Sequence, residues 1–264
     1  MPEATRWDAA AYETAAVVQL AWGRKVLARR KWRGDETVID VGCGPGTLTA
    51  ELGAKVPRGR IVAVDNDPSM IARARQTLAR FGDRVRVVES DITQLAGIEP
   101  ADVIFSNAVI HWIHDHDALY ETFLHHLRPG GMLLAQCGGE GNLAAARRVA
   151  SEIMKTTAFE GYFHEWRSPW KYEDDASTQE RLLIAGFVDP EVTLEAAPTP
   201  FADRGAFETF LRAVVMRPYL QALPDETVRN RFMQSFLERV EASNRGYVLD
   251  YVRLNVTATR PPHG

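Results

Sequence analysis

The sequence has few of the features that mark secreted, membrane-spanning or metal-binding proteins. It holds two cysteines, Cys43 and Cys137, at a spacing that suits neither zinc nor a disulfide framework, so we expect no metal site. No run approaches the roughly 18 apolar residues of a membrane span, and residues 1–8 carry no apolar signal segment. We therefore expect a cytoplasmic protein with no membrane partner.

An excess of positive charge is also lacking. The formal net charge is -4, which argues against a protein that holds a phosphate backbone, so we expect no nucleic-acid partner. The one basic cluster, residues 24–33, is predicted to be a solvated helix face. With 45% hydrophobic and 25% charged residues, the chain resembles an ordinary globular protein, and one α/β domain with a helical insertion fits its 264 residues.

The stretch at residues 38–52 is the most informative in the chain. The β-branched residues Val38, Ile39 and Val41 predict a strand buried on both faces. Gly42, Gly44 and Gly46 predict a turn, and apolar residues at helical spacing from Leu48 predict a helix. Glycines at such a turn let the backbone approach a ligand that lies across the end of the strand. A nucleotide-like ligand is therefore expected.

Two features bear on which nucleotide binds. A dinucleotide site requires a third glycine where this chain has Thr47. Asp65 ends the second predicted strand about 20 residues beyond the turn, where a carboxylate can accept both ribose hydroxyls. NAD and S-adenosyl-L-methionine (SAM) enzymes share this carboxylate, and on its residue type alone Asp65 could equally cap the next helix.

Asp40 and the run Gly42-Cys43-Gly44-Pro45-Gly46 resemble the first signature of the class I SAM-dependent methyltransferases. In that family the acidic residue and the glycine backbone surround the methionine half of SAM. The resemblance implies that SAM is the cofactor and S-adenosyl-L-homocysteine the product. It also implies that Asp91 and Ile92 contact the adenine. Asn66, which follows the ribose candidate Asp65, is a further expected cofactor contact.

The segment from Ser106 to Asp115 resembles the trans-aconitate methyltransferase-like and juvenile hormone acid methyltransferase-like families. It lacks the Pro-Pro-aromatic motif of amino-directed nucleic-acid methyltransferases. By this resemblance Tyr12 and Gln19 in the amino-terminal segment are cofactor contacts. Asn107 is expected to face the reactive methyl group.

The resemblance implies a doubly wound, Rossmann-like α/β fold whose seven-stranded, mostly parallel sheet ends in an antiparallel strand, predicted as Val248–Thr259. Helical insertions are expected to form a lid. The predicted divisions are a cap helix (1–34), a SAM-binding core (35–141), an aromatic-rich insertion (142–175), a core helix and strand (176–202), a helical lid (203–245) and the last core strand (246–264).

The expected function is methyl transfer to a small-molecule acceptor by a monomer or homodimer. O-methylation of a carboxylic acid leads, with His111, Trp112 and lid arginines such as Arg212 or Arg217 as donors that hold the carboxylate. The alternative is O- or C-methylation of a phenolic or other natural-product metabolite with His111 as general base. Further alternatives are a non-catalytic SAM-binding protein and an NAD-dependent oxidoreductase.

Overall fold

Nine strands are present in the computed structural model, which describes residues 17–244 and 246–262. They are β1 (Thr37–Val41), β2 (Arg60–Asp65), β3 (Val85–Glu89), β4 (Ala101–Asn107), β5 (Leu127–Gly138), β6 (Val188–Ala196), β7 (Thr199–Pro200), β8 (Val248–Leu249) and β9 (Val252–Thr259). Seven of them form the central sheet in the order β3-β2-β1-β4-β5-β9-β6, and β7 pairs with β8 separately. The expected fold class is confirmed.

The middle of the sheet is parallel, because helices connect its strands across both faces. β1 pairs in parallel with β2 and β4, β2 with β3, and β4 with β5, whereas β5 and β9 are antiparallel. Val38, Ile39 and Val41 are fully buried, as a strand covered on both faces requires. The strand order reverses at β1 and β4, so ligands are expected beyond the carboxyl ends of these two strands.

Five of the described helices begin after an aspartate whose side chain caps free backbone N–H groups. Asp67, Asp115, Asp174, Asp203 and Asp225 each accept a backbone hydrogen bond from the first turn of the following helix. The helices are α1 (Val17–Leu27), α2 (Thr47–Lys55), α3 (Pro68–Leu78), α4 (His116–His125), α5 (Ala144–Met154), α6 (Glu160–Phe163), α7 (Asp175–Ala185), α8 (Arg204–Phe210), α9 (Arg217–Gln221) and α10 (Glu226–Ala242). Short 3₁₀ or π turns lie at Ala79–Arg84, Ile110–Trp112 and Leu211–Val215.

The chain forms two compact units. The first comprises the described parts of residues 1–140, 170–195 and 253–264, and it contains the central sheet. The second comprises residues 141–169 and the described part of 196–252. Aromatic rings form the core of the second unit, where Phe232 lies 5.3 Å from Phe159 and 5.6 Å from Phe163, and Trp166 stacks on Tyr219. The functional division predicted from the sequence stays a prediction.

The predicted last strand is wrong as a single element. Residues 248–259 form β8 and β9, which belong to different sheets and are separated by Asp250 and Tyr251. Asp250 Oδ2 accepts the N–H of Ala145 at 2.8 Å and its carbonyl accepts the N–H of Leu143 at 3.0 Å, so these acceptors hold the start of α5. The carbonyl of Tyr251 accepts the N–H of Ala197 in the same way.

The basic cluster at residues 24–33 is not one helix face as predicted, because it continues beyond α1, which ends at Leu27. Residues 128–131 lie within β5, where the register with β4 shifts. In the described part of the chain, no helix is long and apolar enough to cross a membrane.

Candidate functional site

The glycine turn after β1 presents bare backbone to the carboxyl edge of the sheet. Gly42 (φ 73°) and Gly44 (φ 55°) both adopt positive φ, which a side chain disfavours. A Cβ on Gly42 would lie 2.1 Å from Cγ2 of Val109, so this glycine lets the segment after β4 approach closely. A Cβ on Gly44 would meet nothing within 4 Å, so this glycine keeps a space open.

That open space is a cavity of about 310 Å³. Its lining contains six of the predicted cofactor contacts, Gln19, Asp40, Gly42, Cys43, Gly44 and Asn107. Leu20, Pro45, Thr47, Leu48 and Phe105 complete the wall. Helix α1, the turn after β1 and the end of β4 thus meet at the position where the strand order reverses. Tyr12 lies outside the described residues.

Asp40 is a buried carboxylic acid. Its carboxylate is 2% exposed and accepts a hydrogen bond of 2.6 Å from the hydroxyl of Thr49. Burial raises the pKa of Asp40 to about 7, with the Thr49 hydrogen bond acting in the opposite direction and the neighbouring charge of Asp65 adding to the rise. Asp40 therefore changes charge near neutral pH and can gain from a cationic partner.

Two amide side chains among the residues that line the cavity have buried oxygens. Asn107 Nδ2 donates to the backbone carbonyl of Gln19 at 3.1 Å. The side-chain oxygens Gln19 Oε1 and Asn107 Oδ1 are buried, and within residues 17–244 and 246–262 they accept no hydrogen bond. Buried acceptors of this kind cost free energy unless they are satisfied, so these two oxygens favour a hydrogen-bond donor that the described residues do not supply.

Asp65 connects the glycine turn to the next strand. Its Oδ2 accepts the N–H of Gly44 at 2.9 Å, and its Oδ1 accepts the N–H of Asp67 at 3.0 Å. The cap of α3 is Asp67, not Asp65, so the capping interpretation of Asp65 is wrong. Each carboxylate oxygen has a second lone pair, so the predicted ribose contact stays possible in chemical terms and stays a prediction. Asn66 is exposed.

The predicted adenine contacts follow β3. Asp91 Oδ1 accepts hydrogen bonds from the backbone N–H and the hydroxyl of Thr93, at 2.9 and 2.8 Å. Ile92 is buried and packs in the core with Ile39 and Val64. Neither Asp91 nor Ile92 lines the cavity described above. Their role at the adenine stays a prediction.

His111 lies in the 3₁₀ turn that follows β4, and it is buried. The backbone N–H of Gly138, at the end of β5, donates to His111 Nδ1 at 3.2 Å. Burial, with Arg253 and His116 nearby, holds the pKa of His111 well below its ordinary value, so the ring is neutral. A neutral ring whose Nδ1 accepts carries its proton on Nε2, and His111 is therefore a hydrogen-bond donor through Nε2.

Aromatic rings surround this donor within the first unit. The His111 ring centroid lies 5.5 Å from that of Trp112 and 5.6 Å from that of Tyr172, and Trp112 lies 5.6 Å from Trp170. The backbone N–H of Lys171 donates to the carbonyl of His111 at 2.9 Å and holds the two segments together. The aromatic-rich insertion predicted at residues 142–175 therefore divides into rings beside His111 and rings in the core of the second unit.

The other predicted donors and ligands are placed elsewhere or have other partners. Arg212, a candidate lid arginine, hydrogen-bonds to Glu208 at 2.9 Å and to Asn230 at 2.8 Å within the second unit. Burial raises the pKa of the Cys43 thiol well above its ordinary value, so this cysteine is a neutral wall residue. No group of three His, Cys, Asp or Glu side chains among the described residues could hold a metal ion.

Comparison with known sequences identifies the family of this chain. A sequence model of the methyltransferase domain family matches residues 38–131. A trans-aconitate 2-methyltransferase from Azoarcus sp. is 32% identical over 83% of this chain and 84% of its own length. A trans-aconitate 2-methyltransferase from Delftia acidovorans is 29% identical over 97% of this chain and 99% of its own length.

Solved structures show the same fold at lower identity. The phosphoethanolamine N-methyltransferase 2 of Haemonchus contortus, solved in complex with SAM, aligns with a TM-score of 0.59 at 19% identity, over 96% of this chain and 56% of its own length. A mycolic acid cyclopropane synthase in complex with S-adenosyl-L-homocysteine aligns with a TM-score of 0.59 at 18% identity, over 91% of this chain and 84% of its own length. At these identities the likeness concerns the fold alone.

The burial of Asp40 predicts a pH dependence of stability. The ordinary pKa of 3.8 applies to the unfolded chain, and the folded value is about 7, so the folded chain binds this proton more tightly. The resulting stabilisation is complete below the unfolded value and is lost as the pH rises through about 7. Chemical denaturation from pH 4 to 8 should therefore show wild type losing up to about 4 kcal/mol relative to Asp40→Asn.

Asp35→Asn is the matched control, since that side chain is 56% exposed. The difference in free energy of unfolding between Asp35→Asn and wild type should change little from pH 4 to 8. If the Asp40→Asn and wild-type curves run parallel, Asp40 is ionised throughout, and our account of a dry acid at the cavity is wrong.

Proposed function

This chain belongs to the trans-aconitate 2-methyltransferase family of SAM-dependent methyltransferases, and on that basis we propose that it methylates a carboxylate oxygen of a small carboxylic acid. SAM is its cofactor. The acceptor becomes a methyl ester and S-adenosyl-L-homocysteine (SAH) is released. The observation that carries the choice of acceptor is the hydrogen bond from Gly138 to His111 Nδ1, which makes His111 a neutral donor.

The cavity at the glycine turn fits the methionine end of SAM. A sulfonium and an ammonium group favour carboxylates and hydrogen-bond acceptors, and the residues that line the cavity include Asp40, Gln19 and Asn107. The open space over Gly44 lets a ligand approach the main chain. Asp65, bonded to the N–H of Gly44, would then hold the ribose.

His111 suits a carboxylate acceptor because it can donate but not remove a proton. Nδ1 is occupied by the Gly138 N–H, and the proton of the neutral ring is on Nε2. A carboxylic acid has lost its proton well below neutral pH, so its carboxylate needs no general base. The task of the site is to orient this carboxylate and to keep it dry.

When bound, SAM supplies an electrophilic methyl group on a sulfonium. Transfer to a carboxylate joins opposite charges into neutral products, so a dry site favours the reaction. Trp112, Trp170 and Tyr172 surround His111 and exclude water from it. A neutral imidazole fixes the direction of one carboxylate oxygen and withdraws less charge from it than a cation would. Positioning of this kind can supply roughly 7 to 11 kcal/mol.

A phenolic or carbon-acid acceptor fits the site less well. Such an acceptor must lose a proton during or before transfer, and His111 would need a free lone pair on Nε2 to take it. Relay of the proton through Nδ1 would break the hydrogen bond to Gly138. The names of the relatives favour the same choice, since trans-aconitate is a carboxylic acid.

The open space over Gly44 predicts that Gly44→Ala specifically loses affinity for the cofactor. The new methyl group would fill the space above the main chain, and calorimetry should show SAH binding at least about tenfold more weakly. Gly97→Ala is the matched control, because Gly97 has φ 70° and equally open surroundings. Alanine at positive φ should cost each variant about 1 to 2 kcal/mol of stability. Unchanged SAH affinity in folded Gly44→Ala would show that the cofactor does not occupy the open space over Gly44.

A turnover screen with SAM tests the acceptor class. We expect SAH and a methyl ester, in equal amounts, from one or more carboxylic acids, with trans-aconitate, fumarate and longer or aromatic acids in the panel. Phenols and amines of similar size should give neither product. Methylation of phenols or amines without any carboxylic acid would overturn the proposal, while SAH formation would still identify a methyltransferase.

Substitution of His111 separates donor from base. At saturating SAM and acid, wild-type kcat should show no histidine ionisation between pH 6 and 9. His111→Phe should lower kcat by about 10²-fold equally at every pH, since one preorganised donor is lost, and His111→Gln should recover part of it. His125→Gln, on the exposed side of α4, is the control. An ionisation near pH 7 that only His111→Phe removes would assign His111 as the base.

A further inference from the structure

Three hydrogen bonds hold His111 in the turn after β4. The N–H of Gly138 holds the ring at Nδ1, and the N–H of Lys171 holds the carbonyl of His111. The third bond runs from His116 Nε2 to the carbonyl of Ile110, at 3.1 Å. That carbonyl belongs to the peptide group that links Ile110 to His111. Both peptide groups that flank the His111 Cα are therefore held in place.

His116 makes its hydrogen bond with a side chain, whereas Gly138 and Lys171 donate through the main chain. It is the first residue of α4 and is 1% exposed, so water does not compete for this bond. The N–H of Ile113 donates to the same Ile110 carbonyl at 2.9 Å. His116 thus adds a second donor to the carbonyl that ends the 3₁₀ turn.

The ring of His116 is a neutral donor. A carbonyl oxygen can only accept, so His116 carries a proton on Nε2. Burial, together with the charge of Lys171, lowers the pKa of His116. Its Nδ1 is buried without a hydrogen-bond partner among the described residues and lies 3.8 Å from Glu173 Oε1. Within the described part of the chain, the one hydrogen bond of this ring is therefore directed at the turn that carries His111.

Charged side chains beside His116 hold the neighbouring segment. Lys171 Nζ lies 2.8 Å from Glu173 Oε1, so it compensates the carboxylate that faces His116. The same Nζ donates to the carbonyl of His114 at 3.1 Å, which joins this segment to the chain just after the turn. The main-chain N–H of Lys171 is thereby kept where it reaches the carbonyl of His111.

The direction of the His111 Nε2–H depends on the backbone of the turn. In a histidine ring Nε2 is farther from the main chain than Nδ1, so a rotation at the His111 Cα displaces Nε2 the more. A misplacement of about 1 Å can cost roughly 10²-fold in rate, because a donor acts only when it points at the reacting oxygen. The two peptide contacts to His111 therefore bear on catalysis as well as on folding.

We propose that His116 is a positioning residue for methyl transfer, and that it sets the direction of the His111 Nε2–H through the carbonyl of Ile110. The inference rests on the proposed carboxylate methylation, in which His111 donates to the acceptor. His116 acts through His111 and contacts neither reactant. Its effect on the rate must therefore disappear when His111 is replaced.

A double-mutant cycle tests this dependence, with the best acceptor from the turnover screen and saturating SAM. His116→Met, which has no donor, should lower kcat about 10- to 100-fold and change the KM of the acceptor less than about threefold. His116→Gln matches methionine in length but has an amide N–H, so it should recover part of the loss. In the His111→Phe background, His116→Met should lower kcat by less than about threefold more.

A second histidine of α4 provides the matched control. His126 is also buried, and its Nδ1 donates to the carbonyl of Thr122 at 2.8 Å, at the other end of the helix. His126→Met should leave kcat within about twofold of wild type. SAH affinity by calorimetry should stay within about twofold of wild type in both His116 variants. If His116→Met does not melt cooperatively, His116→Phe, which keeps a ring, replaces it in the cycle.

Three outcomes would overturn the inference. They are an equal loss from His116→Met in the two backgrounds, a loss of SAH affinity, and a folded His116→Gln that is no more active than His116→Met. Each leaves carboxylate methylation intact, because wild type still converts the acid. If the screen finds no carboxylic acid that wild type methylates, the proposed function fails and the inference falls with it. That failure is distinguishable because it appears before any variant is compared.

Discussion

The hydrogen bond from the Gly138 N–H to His111 Nδ1 determines what the proposed acceptor site can do. It joins the end of β5 to the turn after β4, so it exists only because these strands pair in parallel and end together. It leaves the ring proton on Nε2, and burial keeps the ring neutral. A histidine that sequence reasoning left open as base or donor becomes a donor by this one backbone contact.

In our proposal, the groups at the carboxyl edge of the sheet match the two reactants. Carboxylates lie on the side of the cationic cofactor, and a neutral hydrogen-bond donor lies on the side of the anionic acceptor. Asp40 and Asp65 lie at the ends of β1 and β2, on the side where a cationic sulfonium and its ammonium group would be held. His111 follows β4 and accepts the N–H of Gly138 at the end of β5, on the side where an anionic acceptor would be held. The carboxylates and the neutral donor thus suit different reactants.

Local signals in the sequence were enough to predict the fold and the family. Contacts between residues far apart in the chain could not be predicted from the sequence. The glycine turn and the buried strands before it predicted β1, α2 and the position of Asp65, because each signal spans a few neighbouring residues. The state of His111 depends on Gly138, which is 27 residues away. The break after β8 depends on Asp250, whose side chain accepts the N–H of Ala145 at the start of α5.

The tautomer and charge of His111 test the central claim most directly. In protein labelled with ¹⁵N-histidine, nuclear magnetic resonance distinguishes a protonated from an unprotonated ring nitrogen, and His111→Gln identifies the signal. We predict a neutral ring with the proton on Nε2 from pH 6 to 9, with SAH bound and free. A ring that gains a proton near pH 7, or a proton on Nδ1, would contradict the account.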